Sequence, residues 1–65
     1  MHNPPIVLLL DDAETMSALN ISAEDLEWLI ATQQLPPIYI RSRRRFRLSD
    51  IEAMVNAYCT VQHRN

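Results

Sequence analysis

Five of the six basic residues of this 65-residue chain lie between positions 41 and 47, and this cluster most constrains the fold. All but two of the eight acidic residues precede the cluster, so a net charge of −2 conceals a strong separation of charge. Because arginine stays charged at physiological pH, the segment belongs at the surface, where its planar donors match phosphate oxygens. The five positions are Arg41, Arg43, Arg44, Arg45 and Arg47.

The cluster is flanked by apolar residues at alternating positions, which is the periodicity of a β-strand. The pattern predicts a β-hairpin, residues 38–47, with its tip near Ser42-Arg43-Arg44; we call it the arginine hairpin. Tyr39, Arg45 and Arg47 are expected on its outer face. A solvated edge that discourages strand pairing is the alternative to a nucleic-acid contact. The residues expected to face the core are Ile38, Ile40, Phe46 and Leu48.

Two short helices are predicted upstream of the hairpin by their capping patterns. Asp11 with Glu14 predicts a first helix over about residues 12–19, and Ser22 with Asp25 predicts a second that ends near residue 33. Asn20 ends the first helix, since asparagine tolerates the left-handed conformation and the chain has no glycine. Two helices joined by a three-residue turn have the helix-turn-helix layout.

A third helix is predicted after the hairpin, from the capping box at residues 49–52. The expected fold is mainly α with a small β-hairpin: a winged helix-turn-helix of three short helices plus a two-stranded wing, within residues 11–60. Residues 1–10 are expected to form an N-terminal arm or short strand, and residues 61–65 a frayed C-terminal tail. The predicted core is Met16, Leu19, Ile21, Leu26, Leu29, Ile30, Leu35, Ile38, Ile40, Phe46, Leu48, Ile51, Met54, Val55 and Tyr58.

Several classes of function are disfavoured by what the chain lacks. A single cysteine allows no internal disulfide and suits a reducing cytoplasm. The longest apolar run, residues 6–10, is far too short to span a membrane. Cys59, His2 and His63 lie at no metal-ligand spacing, and capping accounts for the acidic pair Asp11-Asp12. We therefore expect a cytoplasmic protein that is not an enzyme, with no catalytic residues, no metal, no cofactor and no small-molecule substrate.

The order helix, turn, helix, arginine hairpin, helix resembles the excisionase family of small winged helix-turn-helix proteins, related to the DNA-binding head of MerR-type regulators. The resemblance covers about residues 10–58 and is most specific over residues 43–53, RRRFRLSDIEA. It also rests on the helix spacing and on Leu35-Pro36 before Ile38. The chain departs from the family where glycines are usual, since Asn20 and Arg41-Ser42 stand there. A further departure is the acidic stretch 23–27.

The resemblance implies a double-stranded DNA-binding accessory factor that directs the integrase of a phage or other mobile element toward excision, that is, a recombination directionality factor. A small transcriptional regulator on the same fold is the first alternative. In a wing, Arg43 and Arg44 would reach the minor groove or its flanking phosphates from the tip, and Arg45 and Arg47 would contact phosphates. Neutralising about 4–5 phosphates gives a log–log salt slope near −4. The DNA-contacting wing residues are Arg41, Ser42, Arg43, Arg44, Arg45 and Arg47.

The second helix offers a face for bases or for a protein partner, formed by Ser22, Ala23, Glu24, Glu27 and Trp28. Glutamate can accept a hydrogen bond from cytosine, whereas acids near phosphate are costly unless they are partnered. The alternatives are helix stabilisation by the acids, head-to-tail self-association on DNA through the arginine hairpin, and a protein-binding adaptor. We expect Trp28 to pack at the edge of the core; an exposed Trp28 would mark an interface anchor.

Overall fold

Over residues 8–63, the fold consists of three helices and a three-stranded antiparallel sheet. The computed structural model describes the backbone of residues 8–63 and the side chains of residues 8–59, so most of the predicted N-terminal arm lies outside it. No helix in this part of the chain has the length and hydropathy that a bilayer crossing requires. The elements are β1 (Leu9–Leu10), α1 (Asp12–Leu19), α2 (Ala23–Ala31), β2 (Ile38–Ile40), β3 (Arg43–Arg47) and α3 (Leu48–His63).

The first two helices begin at the predicted capping boxes. The Glu14 amide donates to Asp11 Oδ1 over 2.8 Å, and the Asp25 amide donates to Ser22 Oγ over 3.1 Å. Asn20 takes the left-handed conformation, with φ 57° and ψ 51°, and its amide donates to carbonyls of the last turn of α1. Local chemistry therefore sets the start of both helices and the exit of the first, because each cap involves neighbours in sequence.

The third helix differs from the prediction at both ends. It begins at Leu48, so Ser49 lies inside the helix rather than at its N-cap, and it continues to His63, past the expected start of the tail at residue 61. The Leu48 amide donates to the carbonyl oxygen of Leu8 over 2.9 Å. This bond joins the start of α3 to the strand that precedes α1.

The sheet contains a third strand, and the expectation of a two-stranded wing is wrong in this respect. Leu9 pairs with Arg47 and Leu10 with Phe46, which makes β3 the central strand between β1 and β2. The sequence left open whether the N-terminal apolar run pairs as a strand, since a run of this length has no decisive periodicity. The pairing secures the base of the hairpin to the rest of the domain.

The register of the hairpin also differs from the prediction. Ile40 pairs with Arg43, so the loop is Arg41-Ser42 and the tip lies earlier than expected. Residues paired across an antiparallel ladder share one face, and therefore Ile38 and Ile40 lie on the face opposite Phe46. The expectation that Ile38 and Ile40 face the core is wrong: Ile38 is half-buried on the opposite face, and the side chain of Ile40 is half exposed. An odd shift of register moves a whole strand to the other face.

The core lies between the helices and the sheet face that carries Phe46. Most of the predicted core is confirmed as buried or half-buried, but Val55 and Tyr58, like Ile40, are exposed. Thr15 is fully buried although it is polar, and Trp28 is 55% exposed instead of packing at the core edge. The buried apolar cluster is Leu26, Leu29, Leu35, Phe46, Ile51 and Met54.

Candidate nucleic-acid interface

The central strand β3 places its arginines on two opposite faces of the sheet. Successive side chains of a strand alternate between faces, so Arg44 shares the face of Phe46. Arg43, Arg45 and Arg47 share the other face. The cluster that looks uniform in sequence is therefore divided into two sets with different surroundings.

Arg44 points toward the helices and forms ion pairs with two of them. Its Nη2 atom lies 2.7 Å from Asp12 Oδ2 and 2.6 Å from Glu27 Oε2, and its Nε atom donates to Asp12 Oδ1 over 3.1 Å. The guanidinium carbon lies 5.7 Å from the centre of the Phe46 ring, within range of a cation–π contact. We call Arg44, Asp12 and Glu27 the Arg44 clamp. It ties the hairpin to the first turn of α1 and to α2.

The clamp changes the protonation behaviour of its members. The hydrogen bond from Arg44 lowers the pKa of Asp12 below its ordinary value, more strongly than burial raises it, and the charges of Arg44 and Arg45 add to the decrease. The hydrogen bonds to Asp12 and Glu27 raise the pKa of Arg44. Asp12 also lies in the first turn of α1, where the helix dipole favours a carboxylate. The clamp is therefore a charged unit at neutral pH.

The expectation that Arg44 lies at the tip is wrong. Arg44 pairs with Tyr39 across the ladder, below the Arg41-Ser42 loop, and its side chain is only 21% exposed. From the sequence, Asp12 is expected at the start of a helix and Glu27 on the surface of α2. Neither position carries a local signal of a partner, because the ladder and the helix packing bring Arg44 to them.

Arg41, Ser42 and Arg43 form the tip and are exposed. Neither tip arginine has an ion pair or side-chain hydrogen bond to the described part of the protein. Arg41 has φ 60°, in the left-handed region where glycine is favoured. The tip thus presents two cations to solvent, Arg41 in the two-residue loop and Arg43 at the start of β3.

The other two arginines of the outer face each form a hydrogen bond or an ion pair within the protein. Arg45 is half-buried, and its Nη1 atom donates to the carbonyl oxygen of Arg44 over 2.7 Å. Arg47 is half exposed, and its Nε atom donates to Asp50 Oδ2 over 3.1 Å. Both guanidinium groups keep donors that these contacts do not use. They extend the basic surface of the tip along β3.

Fewer carboxylates of the second helix are available to an external partner than its sequence indicates. Asp25 is used in the cap with Ser22, and Glu27 is used in the Arg44 clamp. Among the acids of α2, this leaves Glu24 without a recorded partner in the described residues, next to exposed Ala23. The Arg44–Glu27 contact is where the hairpin and the predicted second-helix site residues meet.

The described residues contain no group of three side chains suited to hold a metal ion, and Cys59 is exposed. Comparison with protein-family models, curated proteins and solved structures finds no match to this chain. The resemblance to the excisionase family therefore stands on residue patterns alone.

Proposed function

We propose that this protein binds double-stranded DNA through the arginine hairpin and acts as an excisionase-like recombination directionality factor. The observation that supports DNA binding most directly is the tip, where Arg41 and Arg43 are exposed and unpaired within the described part of the chain. Phosphate is the ligand that matches several arginines on one narrow projection. The integrase partner and the excision role rest on the resemblance.

The geometry lowers the number of phosphate contacts expected from the sequence. Arg44 is neutralised in the clamp, and Arg47 shares its charge with Asp50. Arg41, Arg43 and Arg45 remain as the main phosphate ligands. Three neutralised phosphates give a log–log salt slope of about −2.7, shallower than the value near −4 for the whole cluster.

Sequence choice would come from the start of α2 and from DNA shape. Phosphate contacts position a protein without reading the sequence, whereas base edges are read in the grooves. Glu24 and Ala23 are exposed at the start of α2, and a glutamate can accept from cytosine N4. The Arg44 clamp holds α2 at a fixed position relative to the hairpin, so that both elements can approach one duplex together.

The test is a fluorescence-anisotropy titration with duplex DNA from the genomic neighbourhood of the protein and with a scrambled duplex, at several salt concentrations. Replacing Arg41 and Arg43 with alanine should make the slope shallower by about 1.8, because two phosphate contacts are lost. Arg64→Ala is the matched control, since Arg64 is the basic residue outside the hairpin. Absence of duplex binding at low salt, or an equal loss in the control, would contradict the proposal.

Two related roles share this DNA contact. A transcriptional regulator would bind DNA in the same way. A neighbouring integrase gene would favour the excision role, and a divergent promoter would favour transcriptional regulation.

Head-to-tail association on DNA would pair the tip of one copy with acids of the next. Glu27 is already engaged within its own chain, which leaves Glu24 as the α2 acid without a recorded partner in the described residues. The stoichiometry at saturating DNA measures this association.

A further inference from the structure

An apolar groove lies between α2 and α3, on a surface that the arginine hairpin does not line. It has a volume of about 360 Å³ and is lined by Leu19 of α1, Trp28 of α2, and Val55 and Tyr58 of α3, among others. Its floor includes Leu29, which belongs to the buried core. No residue of the arginine hairpin lines it. We call it the α2–α3 groove.

The groove presents large apolar side chains to solvent in a fixed arrangement. Trp28 is 55% exposed, and Val55 and Tyr58 are each more than a third exposed. The hydroxyl of Tyr58 donates to Gln34 Oε1, which holds the ring in place. Exposed aromatic side chains around a concave apolar floor are typical of protein-binding surfaces.

The groove continues along α3 into a second depression. Leu19 and Val55 line both, and the second extends to Leu48 and Glu52. Tyr58 lies ten positions after Leu48, a distance along α3 of about 15 Å at a rise of 1.5 Å per residue, which is nearly three helical turns. The continuous surface is long enough for three turns of a partner helix.

The walls of the groove determine what kind of segment can bind. Its lining residues come from helices and the turn between α1 and α2, so it offers no strand edge to pair with an extended peptide. A helix satisfies its own backbone hydrogen bonds and needs only side-chain contacts. The matching partner is therefore an amphipathic helix with an apolar stripe.

The charge of the groove indicates what flanks that stripe. Asp25 lines the first depression and Glu52 lines the second, and among the residues whose side chains are described no basic residue lines either. A second copy docked by the same surface about a twofold axis would bring carboxylates toward carboxylates. A partner with Lys or Arg beside its apolar stripe would be complementary instead.

We infer that the α2–α3 groove binds an amphipathic helix of a partner protein, with apolar residues at i, i+3, i+4 and i+7 and basic residues along both flanks. Trp28 and Tyr58 are the aromatic anchors, and Asp25 and Glu52 select the charge. The surface is separate from the arginine hairpin, so a partner docked there leaves the tip arginines uncovered. The inference does not depend on DNA binding.

The test uses a synthetic helical peptide of about 16 residues, with leucines at that spacing and arginines on the flanks, long enough to form a helix when stapled. Trp28 is the only tryptophan of the chain, so its emission reports docking directly. The same peptide with glutamate in place of arginine tests the charge. Binding of the basic peptide, with at least about tenfold weaker binding of the acidic one, is expected.

Variants locate the contact. Val55→Glu should weaken the basic peptide by about tenfold. Ala57→Glu, the matched control, should not, because residue 57 lies about 200° around the helix from residue 55. Glu52→Arg lies on an exposed position and should reduce the preference for the basic peptide, since only Asp25 then remains as an acid of the groove, which keeps the test valid if Val55→Glu fails to fold.

Three results would overturn the inference. They are no change of Trp28 emission with the basic peptide, equal binding of the basic and acidic peptides, and equal effects of the Val55 and Ala57 variants. A concentration-dependent dimer, seen by sedimentation and abolished by Val55→Glu, would assign the groove to a second copy and also overturn it. No DNA is present in these measurements, so their failure is distinct from failure of DNA binding.

Discussion

Replacing Arg44 with methionine should destabilise the domain and leave most of its DNA contact in place. Methionine keeps an unbranched chain over Phe46 and removes the guanidinium that joins Asp12 to Glu27. The side chain of Arg44 is 21% exposed and those of its partners are 44% and 60% exposed, so each ion pair is partly screened. Together with the cation–π contact, we expect a loss of about 1–2 kcal/mol.

The loss is measurable because a domain of this size has limited stability. At about 0.05–0.15 kcal/mol per residue, the whole chain is expected to have a free energy of unfolding of roughly 3–10 kcal/mol. Urea denaturation followed by Trp28 emission and by circular dichroism gives the change. Arg43→Met is the matched control, since Arg43 is exposed with no ion pair to the described residues, and it should shift stability by less than about 0.5 kcal/mol.

Double-mutant cycles separate the two arms of the clamp. Combining Arg44→Met with Asp12→Asn, and separately with Glu27→Gln, should give coupling energies of about 0.5–1 kcal/mol each. Coupling energies near zero would refute the clamp as a stabilising unit. The reasoning would also fail if folded Arg44→Met lost more DNA affinity and salt dependence than Arg43→Met, because Arg44 would then be the phosphate ligand.

Three further changes test other parts of the structure. The depressed pKa of Asp12 stabilises the folded state above the unfolded-state pKa of about 3.9, so the stability gap between the wild type and Asp12→Asn should be full at pH 6 and shrink as the pH falls below that value. Arg41→Gly should relieve the positive φ and raise stability by about 0.5 kcal/mol, while DNA affinity decreases with the lost charge. Thr15→Val should raise the free energy of unfolding by about 1 kcal/mol, because Thr15 Oγ1 is buried without a partner in the described residues and valine has the same shape. Urea titrations measure all three, and a destabilised Thr15→Val would indicate an unseen hydrogen bond.

The helices could be predicted from the sequence because their signals are local. The capping boxes at Asp11 and Ser22 and the left-handed exit at Asn20 each involve residues within three or four positions. Such contacts form in the same way whatever the rest of the chain does. The end of α2 is less well predicted, and the turn after it places Gln33 at φ 63°, another left-handed position that holds no glycine.

The hairpin could be predicted only in outline. Alternation identified two strands, but the face of each strand depends on which two residues form the loop. No glycine or Asn-Gly pair marks that loop, and the chain places Arg41 there with positive φ. The register therefore had no local determinant, and Ile40 was assigned to the wrong face for this reason.

The exposed aromatic residues were misplaced for a different reason. Helical spacing identifies a stripe, but it does not say whether another element covers it. In a 65-residue chain there is little additional structure to cover the stripe of α3, so Val55 and Tyr58 remain exposed beside Trp28. Helical spacing therefore overestimates the burial of Val55 and Tyr58, and both side chains line the α2–α3 groove instead.

The separation of charge along the sequence is partly cancelled in three dimensions, and this has a consequence for DNA binding. A carboxylate on α2 would repel phosphate if it stayed free, and Glu27 is the α2 acid that contacts the hairpin, through Arg44. In the proposed DNA complex, the pairing with Arg44 would reduce that repulsion, and Arg44 would give up its own phosphate contact. Arg44 would then serve the proposed binding indirectly, because Arg41 and Arg43 would act at the tip while Glu27 is held in an ion pair.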